Sequence, residues 1–202
     1  MKSVEFIMSD GTSINIPKPE CYNDCVSLIR SDYFRIWGRT ASFIRMWIAS
    51  WRNPSFRYLF WLRLASYRGI WYYLCLLRHN HYGNKYGIDI LHSSNIGWGL
   101  YIGHGQNIIV NGTTVIGNNV SLSQMVNIGT NEGKGAIIGN NVYIAPMSCV
   151  VGGVEIGNGS IVGAGAVVTK NVLSDMTVAG VPARTIGPNR HSDYILNPWN
   201  IR

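Results

Sequence analysis

Acidic residues are scarce in this chain of 202 residues, where ten Asp and Glu stand against 17 Lys and Arg. The shortage is local. Between Arg30 and Lys85 there are ten basic residues and a single acid, Asp32. Such a stretch attracts phosphates, anionic headgroups or acidic polymers. No nucleic-acid-binding motif accompanies the charge, so a nucleic-acid partner is not expected. Cysteine is also sparse. Cys21 and Cys25 are separated by three residues, Cys75 and Cys149 stand alone, and no second pair follows. That spacing fits neither a disulfide scaffold nor a zinc finger, and it predicts free thiols in a reducing compartment with no metal. Long apolar runs are missing too. The strongest, "IWYYLCLL" (70–77), is eight residues long, against the roughly 20 needed to cross a bilayer. Glu5 and Asp10 interrupt the N-terminus where a secretory leader would be apolar. Together these absences predict a cytoplasmic location.

The residues that are plentiful divide the chain in two. Sixteen of its 23 aromatic residues fall in 31–86, whereas 20 of its 23 glycines fall in 83–187. The first part reads as a small hairpin over 4–16, turning at Asp10-Gly11, followed by helices. "SDYFRIWGRTASFIRMWIASW" (31–51) carries apolar residues at three- and four-residue spacing, with Ser31 or Asp32 as its cap. "NPSFRYLFWLRLASY" (53–67) starts on Asn53 and Pro54, a capping residue followed by the favoured first helical residue. A third helix is expected over about 69–80, with His79 and His81 at its end, where a cation suits the dipole. The expected organisation is a hairpin and helical region over 1–86, a repeat domain over 87–187 and a polar tail over 188–202 that includes His191.

The second part has a period of six. Aliphatic residues recur at Ile90, Ile96, Ile102 and Ile108, then after a two-residue slip at Val110, Ile116, Leu122 and Ile128. After a longer interruption they run Ile138, Ile144, Val150, Ile156, Val162 and Val168. Gly often follows, and Asn or Gly occupies the next corner, as in "IGNN" (116–119 and 138–141) and "IGNG" (156–159). A period of six fits neither a helical face nor the two-residue alternation of a sheet. It fits a parallel β-helix in which each hexapeptide makes one flat side and one turn, the aliphatic residue pointing inward. Gly and Asn tolerate the left-handed backbone that such corners require. The fold class is therefore mainly β, a helix of somewhat more than four coils behind an N-terminal α-helical region.

Four stretches carry a further resemblance: "GIDI…NIGWGLYIGHG" (87–105), "TTVIGNNVSLSQMVNIG" (113–129), "GSIVGAGAVVTK" (159–170) and "AGVPARTIG" (179–187). In this order they resemble the hexapeptide-repeat, left-handed β-helix acyltransferases that use acetyl-CoA, and within them the serine O-acetyltransferase branch. Short relatives of that type often acetylate sugars in surface-polysaccharide assembly. The resemblance implies a homotrimer with its active site in the groove between two β-helices. It assigns His104 as catalytic base and Asp89, fifteen residues earlier, as the acid that orients it. It also implies that acetyl-CoA lies along Pro146, Ala164, Thr169, Lys170 and Arg184, with Gly129 and Thr130 bordering the same groove.

The residue types suit this chemistry. A neutral imidazole removes the proton of an attacking hydroxyl, and a carboxylate on the other ring nitrogen fixes its tautomer. A thioester requires no covalent enzyme intermediate, so direct transfer is the simplest route. Gly103 and Gly105 flank His104 and are expected to leave room for the pantetheine arm or the acceptor. His92 has the same sequence phase as His104 but falls on another face of its coil.

The acceptor is expected to be a sugar hydroxyl. Serine-specific enzymes of the branch place Asp immediately before the catalytic His, where this chain has Gly103. They also carry an Arg-His pair in a loop that here reads "TNEGKGA" (130–136). Serine O-acetyltransferase and a non-catalytic trimeric scaffold are the alternatives. Five Trp, from Trp37 to Trp71, alternate with Arg35, Arg39, Arg45, Arg52, Arg57 and Arg63. They read either as a face lying on an anionic membrane or as packing between helices with the arginines reaching outward.

Overall fold

The computed structural model describes residues 1–130 and 133–200. The N-terminal hairpin is formed by β1 (Lys2–Ile7) and β2 (Ser13–Lys18), antiparallel around the expected turn. Four helices follow: α1 (Tyr22–Trp37), α2 (Phe43–Arg52), α3 (Pro54–Ala65) and α4 (Tyr72–Tyr86). The single helix expected over 31–51 is thus two. Gly38 adopts φ 65° and donates its N–H to the Phe34 carbonyl at 2.8 Å, closing α1 in a left-handed cap. Ser31 and Asp32 lie inside α1 and are buried, so neither is a cap. Asn53 caps α3 as expected, its Oδ1 accepting from the Phe56 N–H at 2.9 Å, with Pro54 in first position. α4 runs six residues beyond the expected end and stops at Gly87, so His79 and His81 are interior to it.

From Ile88 onward the chain winds as a parallel solenoid of about four turns with three flat faces. The first face stacks Ile88–Ile90, Ile108–Val110, Asn127–Gly129, Cys149–Val151 and Val167–Val168. The second stacks the short strands at 95–96, 115–116, 137–138 and 155–156, and the third those at 101–102, 121–122, 143–144 and 161–162. Every aliphatic residue of the hexapeptide series is buried, the most exposed being Ile96 at 6%. Each inward Ile or Leu removed from water contributes roughly 1.5–3 kcal/mol, so stacked columns of them account for the solenoid.

The edge between the second and third faces is regular. The Trp98 N–H donates to Asn118 Oδ1 at 2.9 Å, that of Asn118 to Asn140 at 2.8 Å, and that of Asn140 to Asn158 at 2.7 Å. This ladder uses the Asn of each "IGNN" or "IGNG" corner to satisfy the coil below. The preceding glycines are needed for space. A Cβ on Gly117 would lie 2.5 Å from the Gly139 carbonyl oxygen of the next coil.

The helices close the lower end of the solenoid, with Tyr58, Leu59 and Leu62 joining its core. Two arginines expected to reach outward are instead buried. Arg63 forms a two-pronged ion pair with Asp32 at 2.8 and 2.9 Å and donates to the Ile96 and Gly97 carbonyls. Arg35 donates to the Gly99 carbonyl, Ser121 Oγ and the Leu196 carbonyl. Burial pushes the Asp32 carboxyl upward against the pull of Arg63, and draws the Arg35 guanidinium down to about 10. A guanidinium can meet several carbonyls in one plane, which is why these two are not solvated. The lone acid of the basic stretch is therefore spent inside the protein. Beyond the solenoid, the tail folds back to the lower coils, where Asn119 of the second coil and Trp199 exchange hydrogen bonds at 2.8 and 3.2 Å.

Candidate active site

His104 sits on the edge between the third and first faces, at a place where that edge is irregular. The Gly103 N–H donates to the Leu122 carbonyl at 2.8 Å, and the Met125 N–H donates to the Gln106 carbonyl at 3.1 Å. Ser123 is thereby stacked over Gly103 and Gln124 over Gln106. His104 and Gly105 have no counterpart in the next coil. They account for the two-residue slip, which the sequence reading placed between Ile108 and Val110, and this insertion pushes an exposed imidazole out from the corner. Both residues have positive φ, 60° and 44°. The left-handed region is disfavoured for a side chain as large as His, so this backbone is held by its surroundings.

The flanking glycines have a different cause from the one expected. A Cβ on Gly105 would lie 2.5 Å from Ser55 Oγ, because the start of α3 packs directly against the corner. A Cβ on Gly103 would meet nothing closer than 3.6 Å. Gly105 is therefore required by the protein's own helix, whereas the space beside Gly103 is left open.

Asp89 points outward from the lowest strand of the first face. In the strand register it is followed by Ile109, Asn127, Cys149 and Val167. At ~4.8 Å between strands, these five positions extend over about 19 Å. A groove of about 590 Å³ runs along them, lined by Asp89, Asn111, Asn127, Gly129, Thr130 and Cys149. Three sequence-predicted residues, Asp89, Gly129 and Thr130, thus share one groove. His104 is not among the residues lining this groove: it precedes the Ile108–Val110 strand, on the edge between the third and first faces, and among the described residues no hydrogen bond joins it to Asp89.

Pro146 and Ala164 belong to the same edge as His104. The Met147 N–H donates to the Gln124 carbonyl at 3.1 Å and the Gly165 N–H to that of Pro146 at 2.9 Å, which aligns Gln124, Pro146 and Ala164 in one column above the insertion. Thr169 and Lys170 follow the uppermost strand of the first face and are exposed. The turn before Arg184 folds over that strand, the Ala183 N–H donating to the Val167 carbonyl at 2.8 Å. Arg184 donates to the Ala183 carbonyl, and among the described residues neither Lys170 nor Arg184 forms an ion pair. The predicted residues therefore divide into Asp89 and His104 in the first coil, Gly129, Thr130 and Pro146 in the third, and Ala164, Thr169, Lys170 and Arg184 above them. Of the loop over 130–136, Asn131 and Glu132 lie outside the described residues.

Two features escaped the sequence reading. Gln124 Oε1 is buried without a hydrogen-bond partner among the described residues, one coil above the insertion. Second, the Tyr58 hydroxyl accepts from the Ile90 N–H at 3.0 Å and lies 3.0 Å from His79 Nε2. That bond pins the peptide next to Asp89 to α3 and α4. Burial lowers the His79 imidazole below its ordinary value, and His92, bonded to the Tyr72 hydroxyl at 2.9 Å, packs beside it. His92 thus belongs to the helix interface. Only contacts between distant elements produce this cluster, so no local pattern announces it.

Comparison with known proteins agrees with the geometry. The model of the bacterial transferase hexapeptide (six repeats) matches residues 135–170. A serine acetyltransferase of Buchnera aphidicola is 35% identical over 116 residues, covering 55% of this chain and 44% of that protein. The chain thus spans less than half the length of this relative. Among solved structures, the serine acetyltransferase of Brucella abortus in complex with coenzyme A superposes with a TM-score of 0.69 at 26% identity, over 82% of this chain and 69% of that one. The serine acetyltransferase of Neisseria gonorrhoeae in complex with serine gives 0.69 at 25%, over 82% and 70%. Repeat, solenoid and relatives converge: the chain is built on the hexapeptide-repeat β-helix and is similar to the serine O-acetyltransferases of the left-handed β-helix acyltransferases.

Proposed function

We propose that this protein is an acetyl-CoA-dependent O-acetyltransferase that passes acetyl directly from the thioester to an acceptor hydroxyl. The observation that carries the reading is the His104–Gly105 insertion, which breaks the repeat beside a face whose groove is lined by Asp89. His104 takes the hydroxyl proton as the oxygen attacks and returns it to the departing thiolate. Asp89 orients the ring and stabilises the imidazolium, a contact that tightens when the substrates close the groove. At the far end, Lys170 and Arg184 meet the cofactor's phosphates, and the small side chain of Ala164 lets the pantetheine arm lie along the edge toward His104. The solved complex of a similar enzyme with coenzyme A supports that choice of co-substrate. Leu91, Ile109 and Val151 are 45–49% exposed on the grooved face. A homotrimer would cover these apolar side chains and give the groove its second wall.

For the acceptor, the names of the similar proteins support serine, and the sugar expectation finds no support among them. One observation still favours a neutral hydroxyl as a second reading. Gly103 precedes the histidine, and Lys134 is the sole cation of the 130–136 loop, so the groove offers little to hold serine's carboxylate and ammonium. The test is CoA release by purified protein with L-serine, free sugars, nucleotide sugars and lipid-linked oligosaccharides. Turnover with serine alone establishes the first acceptor, and turnover with a sugar alone the second. No turnover with any of them, together with no binding of acetyl-CoA, would overturn the enzyme reading.

A further inference from the structure

The outer surface of the helices carries a second built feature, remote from the groove. α2 is ten residues long, about 15 Å, too short to span a bilayer and long enough to lie in one. Phe43, Ile44, Trp47, Ile48 and Trp51 form one continuous stripe on it, and all five are exposed, Ile44 by 69% and Trp51 by 66%. Beside the stripe, where α1 ends, is a groove of about 670 Å³ with Arg39, Arg45 and Arg52 around Trp37, Ile44 and Ile48. None of these three guanidinium groups forms an ion pair or hydrogen bond among the described residues. The sequence from Tyr33 to Tyr86 contains no Asp or Glu, and Asp32 is consumed by Arg63.

From this arrangement we infer that α2 is a docking surface for an anionic lipid bilayer, the stripe entering the interface and the three arginines engaging lipid phosphates. Charge decides the occupant. A second copy meeting this face across a twofold would set arginine against arginine with no acid to offset them. A nucleic acid would meet the arginines and leave the exposed Ile44 and Ile48 without a partner. An amphipathic helix with aromatic and aliphatic residues on one side and arginines beside them suits a bilayer surface on both counts. α2 is also tied to the candidate active site. Arg57 donates to the carbonyls of Ser50 and Trp51 in its last turn, and Ser55, three residues beyond its end, packs on Gly105. Docking of α2 thus holds the His104 corner close to the lipid surface. The docking itself does not depend on the acetyl-transfer reading.

The test is flotation of the full chain with vesicles of phosphatidylcholine alone or with added phosphatidylglycerol, alongside light scattering and thermal melting. Binding is expected only with phosphatidylglycerol. The triple variant Arg39→Gln, Arg45→Gln, Arg52→Gln should weaken it by about a hundredfold, at roughly tenfold or less per arginine. Ile48→Asp should abolish it with melting unchanged, and Trp fluorescence should shift to the blue only with the anionic vesicles. Absence of binding, or binding indifferent to both variants, overturns the inference. So does a smaller particle mass for Ile48→Asp without vesicle binding, which assigns the face to a second copy. RNA binding lost in the arginine variant without vesicle binding likewise overturns it in favour of nucleic acid.

Discussion

Two edges of the same solenoid are built from the same hexapeptide and are put to different use. Between the second and third faces every corner repeats, with an asparagine ladder and glycines against which the next coil's backbone rests. Between the third and first faces the rule is broken. His104–Gly105 is inserted, and the left-handed corner positions above it are held by Met125 and Met147, each at φ 61°. Met gains nothing from that conformation locally. A repeat that satisfies its own backbone everywhere leaves nothing for a ligand, so a site requires a departure from it. The regular edge carries stability and the irregular edge carries the candidate chemistry.

The largest effect that would sharpen this contrast is on the irregular edge. His104→Ala should lower CoA release by about 10²–10⁴-fold while leaving the melting temperature in place, since the ring is exposed and has no hydrogen-bond partner among the described residues. A parallel loss of stability would show the histidine to be structural. Next come matched glycine substitutions. Gly117→Ala must displace the backbone of the following coil and should cost about 1–3 kcal/mol in urea denaturation. Gly103→Ala has room and should stay within about 0.5 kcal/mol. Equal costs would erase the distinction between the edges. The smallest effect is a pH dependence at the joint between helices and solenoid. His79 is held below its ordinary 6.5 by burial. The unfolded chain therefore binds the proton first, and stability is full above 6.5 and declines as pH falls through the lowered folded value, by at most about 1.4 kcal/mol per pH unit. His79→Gln should flatten that slope between pH 6.5 and 5, and an unchanged slope would assign it to other groups.

The solenoid was legible because its inward residues recur at one spacing and each is buried by its own repeat. Even the irregularities were visible, as a slip after Ile108 and a gap before Ile138, although the sequence alone did not say that the slip contains His104. What could not be read was whatever depends on elements meeting from afar. The break at Gly38 was hidden inside an apolar rhythm that continues across it. The fate of Arg35 and Arg63 depended on carbonyls of the first coil, and that of His79 on Tyr58. Gly105 carried a clear signal, but its cause, Ser55, lies fifty residues earlier. For the acceptor, the departures at Gly103 and in the 130–136 loop pointed to a sugar, whereas the similar proteins point to serine.

The most direct test of the account is to remove the insertion. Deleting His104 and Gly105 joins Gly103 to Gln106 in the register that Ser123 and Gln124 already adopt one coil above. The account predicts a folded protein that still binds acetyl-CoA through its upper residues and no longer transfers acetyl to any acceptor. Acetyl transfer at the parent rate by the deleted, folded protein would contradict it, and would move the chemistry elsewhere on the solenoid.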